Sequence, residues 1–115
     1  MDFKSSNTFE DRCSESARIR EKFPGRIPTI VERSMRTPDI LDLDKHKFLV
    51  PGDLTVSQFI FVIRKRISLP SEQALFLFVG GSLPTTGTLL RELYTMHKDI
   101  DGFLYVQYSG ENTFG

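Results

Sequence analysis

The chain of 115 residues carries 15 basic and 15 acidic side chains, is 39% apolar and contains one cysteine, Cys13. That length fits a single domain with one hydrophobic core. The charge balance argues against bulk nucleic-acid binding, which shows as a basic excess, and a lone cysteine allows no intramolecular disulfide, which suits a reducing compartment. The apolar runs 59–63 and 74–79 are too short to cross a bilayer, and the opening MDFKSSNTFEDR has no apolar signal core. The expectation is a soluble intracellular protein that meets a membrane only by being attached to it.

Residues 3–22 hold many charges of both signs, with Phe9, Ala17, Ile19 and Phe23 as sparse apolar positions. They read as a surface helix with a narrow apolar stripe, ended by Pro24-Gly25. RIPTIVER predicts a strand over about 26–32, and Pro28, which cannot donate to a ladder, predicts a free edge there. SMRTPD is a loop, and 47–50 form a second short strand closed by Pro51-Gly52. Thr55-Val56-Ser57-Gln58 spells a capping box. Behind it Val56, Phe59, Ile60, Ile63 and Ile67 recur at helical spacing, with Arg64, Lys65 and Arg66 in the last turn, where cations suit the helix dipole.

The wholly apolar run 74–79, before Gly80-Gly81, predicts a central strand buried on both faces. Thr86 or Thr88 opens a further helix whose buried side is Leu89, Leu90, Leu93 and Tyr94. Asp101-Gly102 turns the chain into a last strand, where Phe103, Tyr105 and Gln107 alternate with Leu104, Val106 and Tyr108. Helix, strand, strand, helix, strand, helix, strand is the order of an α+β, ubiquitin-like β-grasp fold: a four-stranded mixed sheet packed on helices, here with an N-terminal helical extension. The expected division is extension 1–25, core 26–109 and flexible C-terminal tail 110–115, functionally a single domain.

Little in the sequence points to catalysis. Cys13, His46 and His97 are the only residues from which a Cys–His nucleophilic site could start, and they lie in three separate segments. They lack metal-ligand spacing, and neither a Lys-Ser/Thr pair nor a GxGxxG pattern follows Gly80-Gly81. Asp42, Asp44, Asp99 and Asp101 read as solvated turns rather than a calcium loop. The chain is read as a non-enzyme with no cofactor and no metal.

Two features resist a bland reading. Arg26, Lys45, Lys47, Arg64 and Arg66 lie among aliphatic and aromatic residues. This is either a solvated charged face or an interface, in which an extended peptide adds to the edge of the second strand and cations attract its acidic residues. The tail SGENTFG is polar and ends in glycine. It is either a frayed terminus or an unhindered arm whose carboxylate enters an enzyme channel to be activated and transferred.

The segments PGRIPTIVE, DLDKHKFLVPGDLTVSQFIFVIRKRI and DGFLYVQYSGENTFG resemble the autophagy ubiquitin-like modifier (GABARAP-like) family, over residues 9–115. The resemblance implies two N-terminal helices ahead of the ubiquitin-like core. It implies a C-terminal glycine taken up by a ubiquitin-type activating enzyme, passed to a conjugating enzyme and joined to the amine of phosphatidylethanolamine on autophagosomal membranes. By motif position Gly115 is the lipid-conjugated residue, and Phe114 is recognised by the processing enzymes. Many members carry residues beyond this glycine that a dedicated cysteine protease removes, and this chain is either encoded ending at Gly115 or trimmed to it.

The resemblance also implies docking of aromatic-x-x-aliphatic motifs from cargo receptors and adaptors by β-addition. The aromatic pocket would be lined by Glu15, Ile19, Pro28, Ile30, Lys47, Leu49 and Phe103. The aliphatic pocket would be lined by Phe48, Val50, Pro51, Leu54, Phe59, Val62 and Ile63, with Arg26, Lys45 and Arg66 meeting acidic residues of the peptide. Period-2 alternation puts Lys47 and Leu49 toward one pocket and Phe48 and Val50 toward the other. The implied locations are the cytoplasm when unconjugated and the autophagosome and vacuolar or lysosomal membrane when lipidated, with microtubules as a further association.

The chain departs from the family pattern in a loop, RSMRTPDIL, one residue longer, in Leu83-Pro84-Thr85 where two adjacent prolines are usual, and in Asp11 where a basic residue is usual. The competing reading is a noncovalent ubiquitin-like trafficking or cytoskeletal adaptor. A nucleic-acid-binding domain built on Arg64, Lys65 and Arg66 is a third.

Overall fold

The computed structural model describes residues 2–112. Its elements are α1 (Phe3–Ser6), α2 (Phe9–Lys22), β1 (Arg26–Arg33), β2 (Lys47–Pro51), α3 (Val56–Arg66), β3 (Phe76–Phe78), α4 (Leu90–His97) and β4 (Leu104–Ser109). The strands form one sheet in the order β2-β1-β4-β3. β1 runs antiparallel to β2 and parallel to β4, and β3 runs antiparallel to β4. This is the mixed β-grasp sheet that the element order predicts.

Side-chain alternation divides the sheet into two faces. On one, Val31, Phe48, Val50, Leu77, Leu104 and Val106 join Phe59 and Ile63 of α3 and Leu90, Leu93 and Tyr94 of α4 in the main core. On the other, Ile30 and Phe103 meet Ile19 of α2 in a smaller cluster, against which Phe3, Leu49 and Tyr105 pack. The helical extension is therefore the cover of the second face. It breaks into two helices, as the family resemblance implies, rather than the single one read from 3–22. Asp2 caps α1 through Ser5 N–H (2.8 Å), and Thr8 caps α2 through Asp11 N–H (3.1 Å). Each cap satisfies an amide that the first helical turn leaves unpaired.

The predicted capping box of α3 is present: Thr55 Oγ1 accepts from Gln58 N–H (3.2 Å) and Gln58 Oε1 accepts from Thr55 N–H (2.9 Å). The first two helical amides of α3 are bonded as well. Val56 N–H donates to Thr88 O (2.9 Å) and Ser57 N–H to Thr86 O (3.0 Å). This corrects the expectation that Thr86 or Thr88 opens α4. Their carbonyls cap α3 instead, while α4 starts after Leu89, whose N–H is taken by Glu92 Oε1 (2.9 Å).

One further expectation is corrected, and another holds only locally. The apolar run 74–79 is not a central strand: only Phe76–Phe78 is strand, and β3 sits at the sheet edge with β4 as its one partner. Its burial comes from helix packing, with Leu77 in the core beside Ile63 and Ile67. Pro28 lies in an interior strand, and the free edge expected at that point is local, on the β4 side. The proline is tolerated because the β4 ladder begins only at Thr29, paired with Leu104.

Candidate functional site

Strand β2 is the other edge of the sheet, and its register fixes which backbone groups are free. Val31 N–H donates to His46 O (2.8 Å), and Gly52 N–H to Gly25 O (3.0 Å). Bonded pairs alternate along an antiparallel ladder. Thr29–Phe48 and Ile27–Val50 are then bonded pairs, and Pro28–Leu49, where proline has no N–H, is not. The N–H and C=O of Lys47 and Leu49 therefore point outward, where a further strand could pair. The outward carbonyl of Leu49 accepts from Arg26 Nη1 (3.2 Å), so Arg26 sits directly on this edge.

The side chains of β2 split as the alternation predicts. Phe48 and Val50 are buried in the main core, and Lys47 and Leu49 are half-buried on the opposite side. Beside Leu49 lie Ile19, Ile30 and Phe103, the last two fully buried. Lys47 Nζ donates to Glu15 Oε2 of α2, so an ion pair closes the rim of this group. On the opposite side, the rings of Phe48 and Phe59 meet edge-on, with centroids 6.1 Å apart. Lys45 Nζ lies 5.5 Å and Arg66 Cζ 5.3 Å from the Phe48 ring centroid, within cation–π range. Leu54 packs on the main core, Ile63 is fully buried, and Val62 is 36% exposed on the outer side of α3.

The structure thus brings Ile19, Ile30, Leu49 and Phe103 together on one side of β2, with Glu15 and Lys47 at the rim, and Phe48, Val50, Leu54, Phe59 and Ile63 on the other, with Arg26, Lys45 and Arg66 nearby; it does not place Pro28, Pro51 or Val62 in either cluster. Phe114 and Gly115 lie outside the described residues. Cys13, His46 and His97 are on α2, before β2 and in the last turn of α4. His46 shares a hydrogen bond with Val31 O through Nδ1 (2.8 Å). Two cavities, of about 310 and 650 Å³, lie away from the β2 edge, at the base of the tail and beneath the N-terminal arm.

Asp101, expected as a solvated turn, is buried. Its side chain has 0% exposure and accepts from Arg12 Nη1 (3.0 Å), Tyr105 Oη (2.5 Å) and Phe103 N–H (2.9 Å). Burial, with the hydrogen bond to Asp101 adding to it, pushes the Tyr105 hydroxyl well above its ordinary pKa. Asp99 of the same turn pairs with Lys4 of α1 (2.7 Å). Burial alone would raise the Asp99 pKa, but hydrogen bonds from Lys4 and the Asp101 amide hold it below the ordinary carboxylate value. Sequence reasoning missed Arg12, Ser16, Asp101 and Tyr105 as a group, because an Asp-Gly pair before a strand reads as an exposed turn.

The mixed sheet, its helices and the open β2 edge define a ubiquitin-like protein. A family profile described as autophagy protein Atg8, ubiquitin like, matches residues 11–115. The chain is 59% identical over 113 residues to Autophagy-related protein 8a of Arabidopsis thaliana, an alignment covering 98% of this chain and 92% of that one. It is 60% identical to Autophagy-related protein 8 of Kluyveromyces lactis, covering 98% and 90%. The crystal structure of Trypanosoma brucei ATG8 superposes with a TM-score of 0.90 at 47% identity, covering 100% of this chain and 98% of that one. Plasmodium falciparum Atg8, solved in complex with a peptide of Plasmodium falciparum Atg3, gives 0.90 at 37% identity and 99% coverage of both chains. The chain belongs to the Atg8 family of ubiquitin-like autophagy proteins.

Proposed function

We propose that this protein is a lipid-conjugated modifier and peptide-docking scaffold of autophagy. The observation that carries the docking half is the β2 edge. It has outward backbone groups at Lys47 and Leu49, one apolar group on each side and cations around it. An aromatic-x-x-aliphatic peptide pairs its backbone with this edge. It sets its aromatic residue among Ile19, Ile30, Leu49 and Phe103 and its aliphatic residue among Phe48, Val50, Leu54, Phe59 and Ile63. Acidic residues of the peptide meet Arg26, Lys45 and Arg66. The aromatic side is closed by the Lys47–Glu15 pair, which moves aside on binding.

The conjugation half rests on membership of the family and on the tail sequence. A ubiquitin-type activating enzyme charges the Gly115 carboxylate, and a conjugating enzyme passes it to the amine of phosphatidylethanolamine. A cysteine protease processes the tail and releases the lipid, recognising Phe114. The reactive cysteines belong to these partners, so this chain is acted on rather than acting as an enzyme. The two acyl chains of the lipid supply stable anchoring where one would not. Among the described residues no helix is long and apolar enough to cross a membrane, so attachment through the tail is the route to a membrane surface.

Replacing Phe48 and Leu49 together with alanine is expected to weaken a labelled motif peptide by at least about tenfold, or about 1.4 kcal/mol. The Gly115→Ala chain should bind that peptide as well as the parent does. Fluorescence anisotropy decides both. An unchanged dissociation constant for the double variant would move docking away from β2.

A further inference from the structure

The turn of residues 99–103 is tied to three helices. Ser16 Oγ of α2 donates to Asp101 O (2.5 Å), Lys4 of α1 pairs with Asp99, and Tyr94 Oη of α4 donates to Gly102 O (2.7 Å). The approach to α2 is tight. Gly102 has φ +92°, and a Cβ there would collide with Ser16 Oγ. At the centre stands the Asp101 carboxylate. It is bonded outward to Arg12 of α2 and inward to the Phe103 amide and the Tyr105 hydroxyl.

That placement has a geometric consequence. Arg12 and Ser16 precede Ile19 on the same helix by about two turns and one turn. Ile19 is the wall, and Phe103 the floor, of the apolar group beside Leu49. One buried carboxylate therefore binds both the helix that carries the wall and the backbone that carries the floor. Among the described residues the opposite group, around Phe48 and Phe59, has no buried carboxylate tie of this kind. It is part of the main core, with Lys45 and Arg66 over the Phe48 ring.

We propose that Asp101 is a positioning residue for the aromatic pocket, fixing α2 against Phe103 so that an incoming aromatic side chain finds a pocket of set width. This rests on the docking reading above. With α2 pinned at Arg12 and Ser16, the pocket opens by movement of Lys47 and Glu15 at the rim, and the wall stays in place. Without the pin, α2 shifts relative to the floor, and the aromatic residue must reorganise the pocket in order to bind.

The test is a coupling measurement on the full chain. The Asp101→Asn and Tyr105→Phe variants are titrated with a labelled aromatic-x-x-aliphatic peptide, with its aromatic-to-Leu twin and with its aliphatic-to-Ala twin. Asp101→Asn is expected to weaken the parent peptide about fivefold and Tyr105→Phe about twofold. Both effects should vanish against the aromatic-to-Leu twin and persist against the aliphatic-to-Ala twin. Tyr105→Phe keeps the ring and its packing, so it carries the test if Asp101→Asn does not fold. Equal losses across all three peptides, or no loss with the parent peptide, would overturn the proposal and leave docking intact. Failure of the unsubstituted chain to bind any of the peptides would overturn the docking reading and this inference with it.

Discussion

The two sides of strand β2 are built by different physics. The Phe48 side is an apolar group continuous with the main core, with the cations Lys45 and Arg66 only at its rim, whereas the Leu49 side is a small apolar cluster framed by polar ties from Glu15 to Lys47 and from Arg12 and Ser16 to Asp101. Apolar packing is non-directional and tolerates adjustment, while a buried carboxylate bonded from several directions sets a position. One sheet edge therefore joins a deformable side to a fixed side.

The largest effect is expected on the apolar side. Phe59 is 2% exposed and meets Phe48 edge-on. Phe59→Ala should cost about 3–5 kcal/mol of stability, read from urea denaturation. A loss below about 1 kcal/mol would mean that this side is no continuation of the core.

Arg26 sharpens the comparison at the edge itself, because it occupies the outward Leu49 carbonyl that an added strand would use. Arg26→Ala removes both that occupant and a cation. A peptide with acidic flanks should bind about threefold more weakly, and one with neutral flanks should bind no more weakly than to the parent chain. Equal losses for both peptides, measured by calorimetry, would assign Arg26 a purely structural role.

The smallest effect concerns pH and the polar side. Asp99 has a lowered pKa in the folded chain, held down against burial by Lys4. A lowered pKa contributes stability above the unfolded value and loses it as pH falls through the folded value. The tie between α1 and the turn should therefore be intact near neutral pH and fade only below about pH 4. The difference in thermal midpoint between the parent chain and Lys4→Ala should shrink to nothing over that range. A difference that persists in acid would mean that Lys4 acts through its contact with the Tyr105 ring, 4.7 Å from the centroid.

What was legible in the sequence follows the same division. The capping box of α3, the order of elements and the two-sided alternation of 47–50 are local patterns, and local patterns report local structure. The position of β3 was not legible, because an apolar run reports burial and not how many strands lie beside it. Nor were the carbonyls of Thr86 and Thr88, since any residue supplies a carbonyl. The break between α1 and α2 did leave a signal, Thr8 with Glu10 and Asp11 in the first turn behind it. Asp101 left none: it lies 85 residues from Ser16 and 89 from Arg12, and only the fold brings them together.

The measurement that tests the central claim most directly is intact mass. The purified chain is incubated with ubiquitin-type activating and conjugating enzymes of the family, ATP and phosphatidylethanolamine liposomes, with a lipidation-competent family member as control. The account predicts a gain equal to one phosphatidylethanolamine less one water, mapped to Gly115 and absent from Gly115→Ala. No gain, under conditions that lipidate the control, would contradict it and leave a noncovalent peptide-docking adaptor.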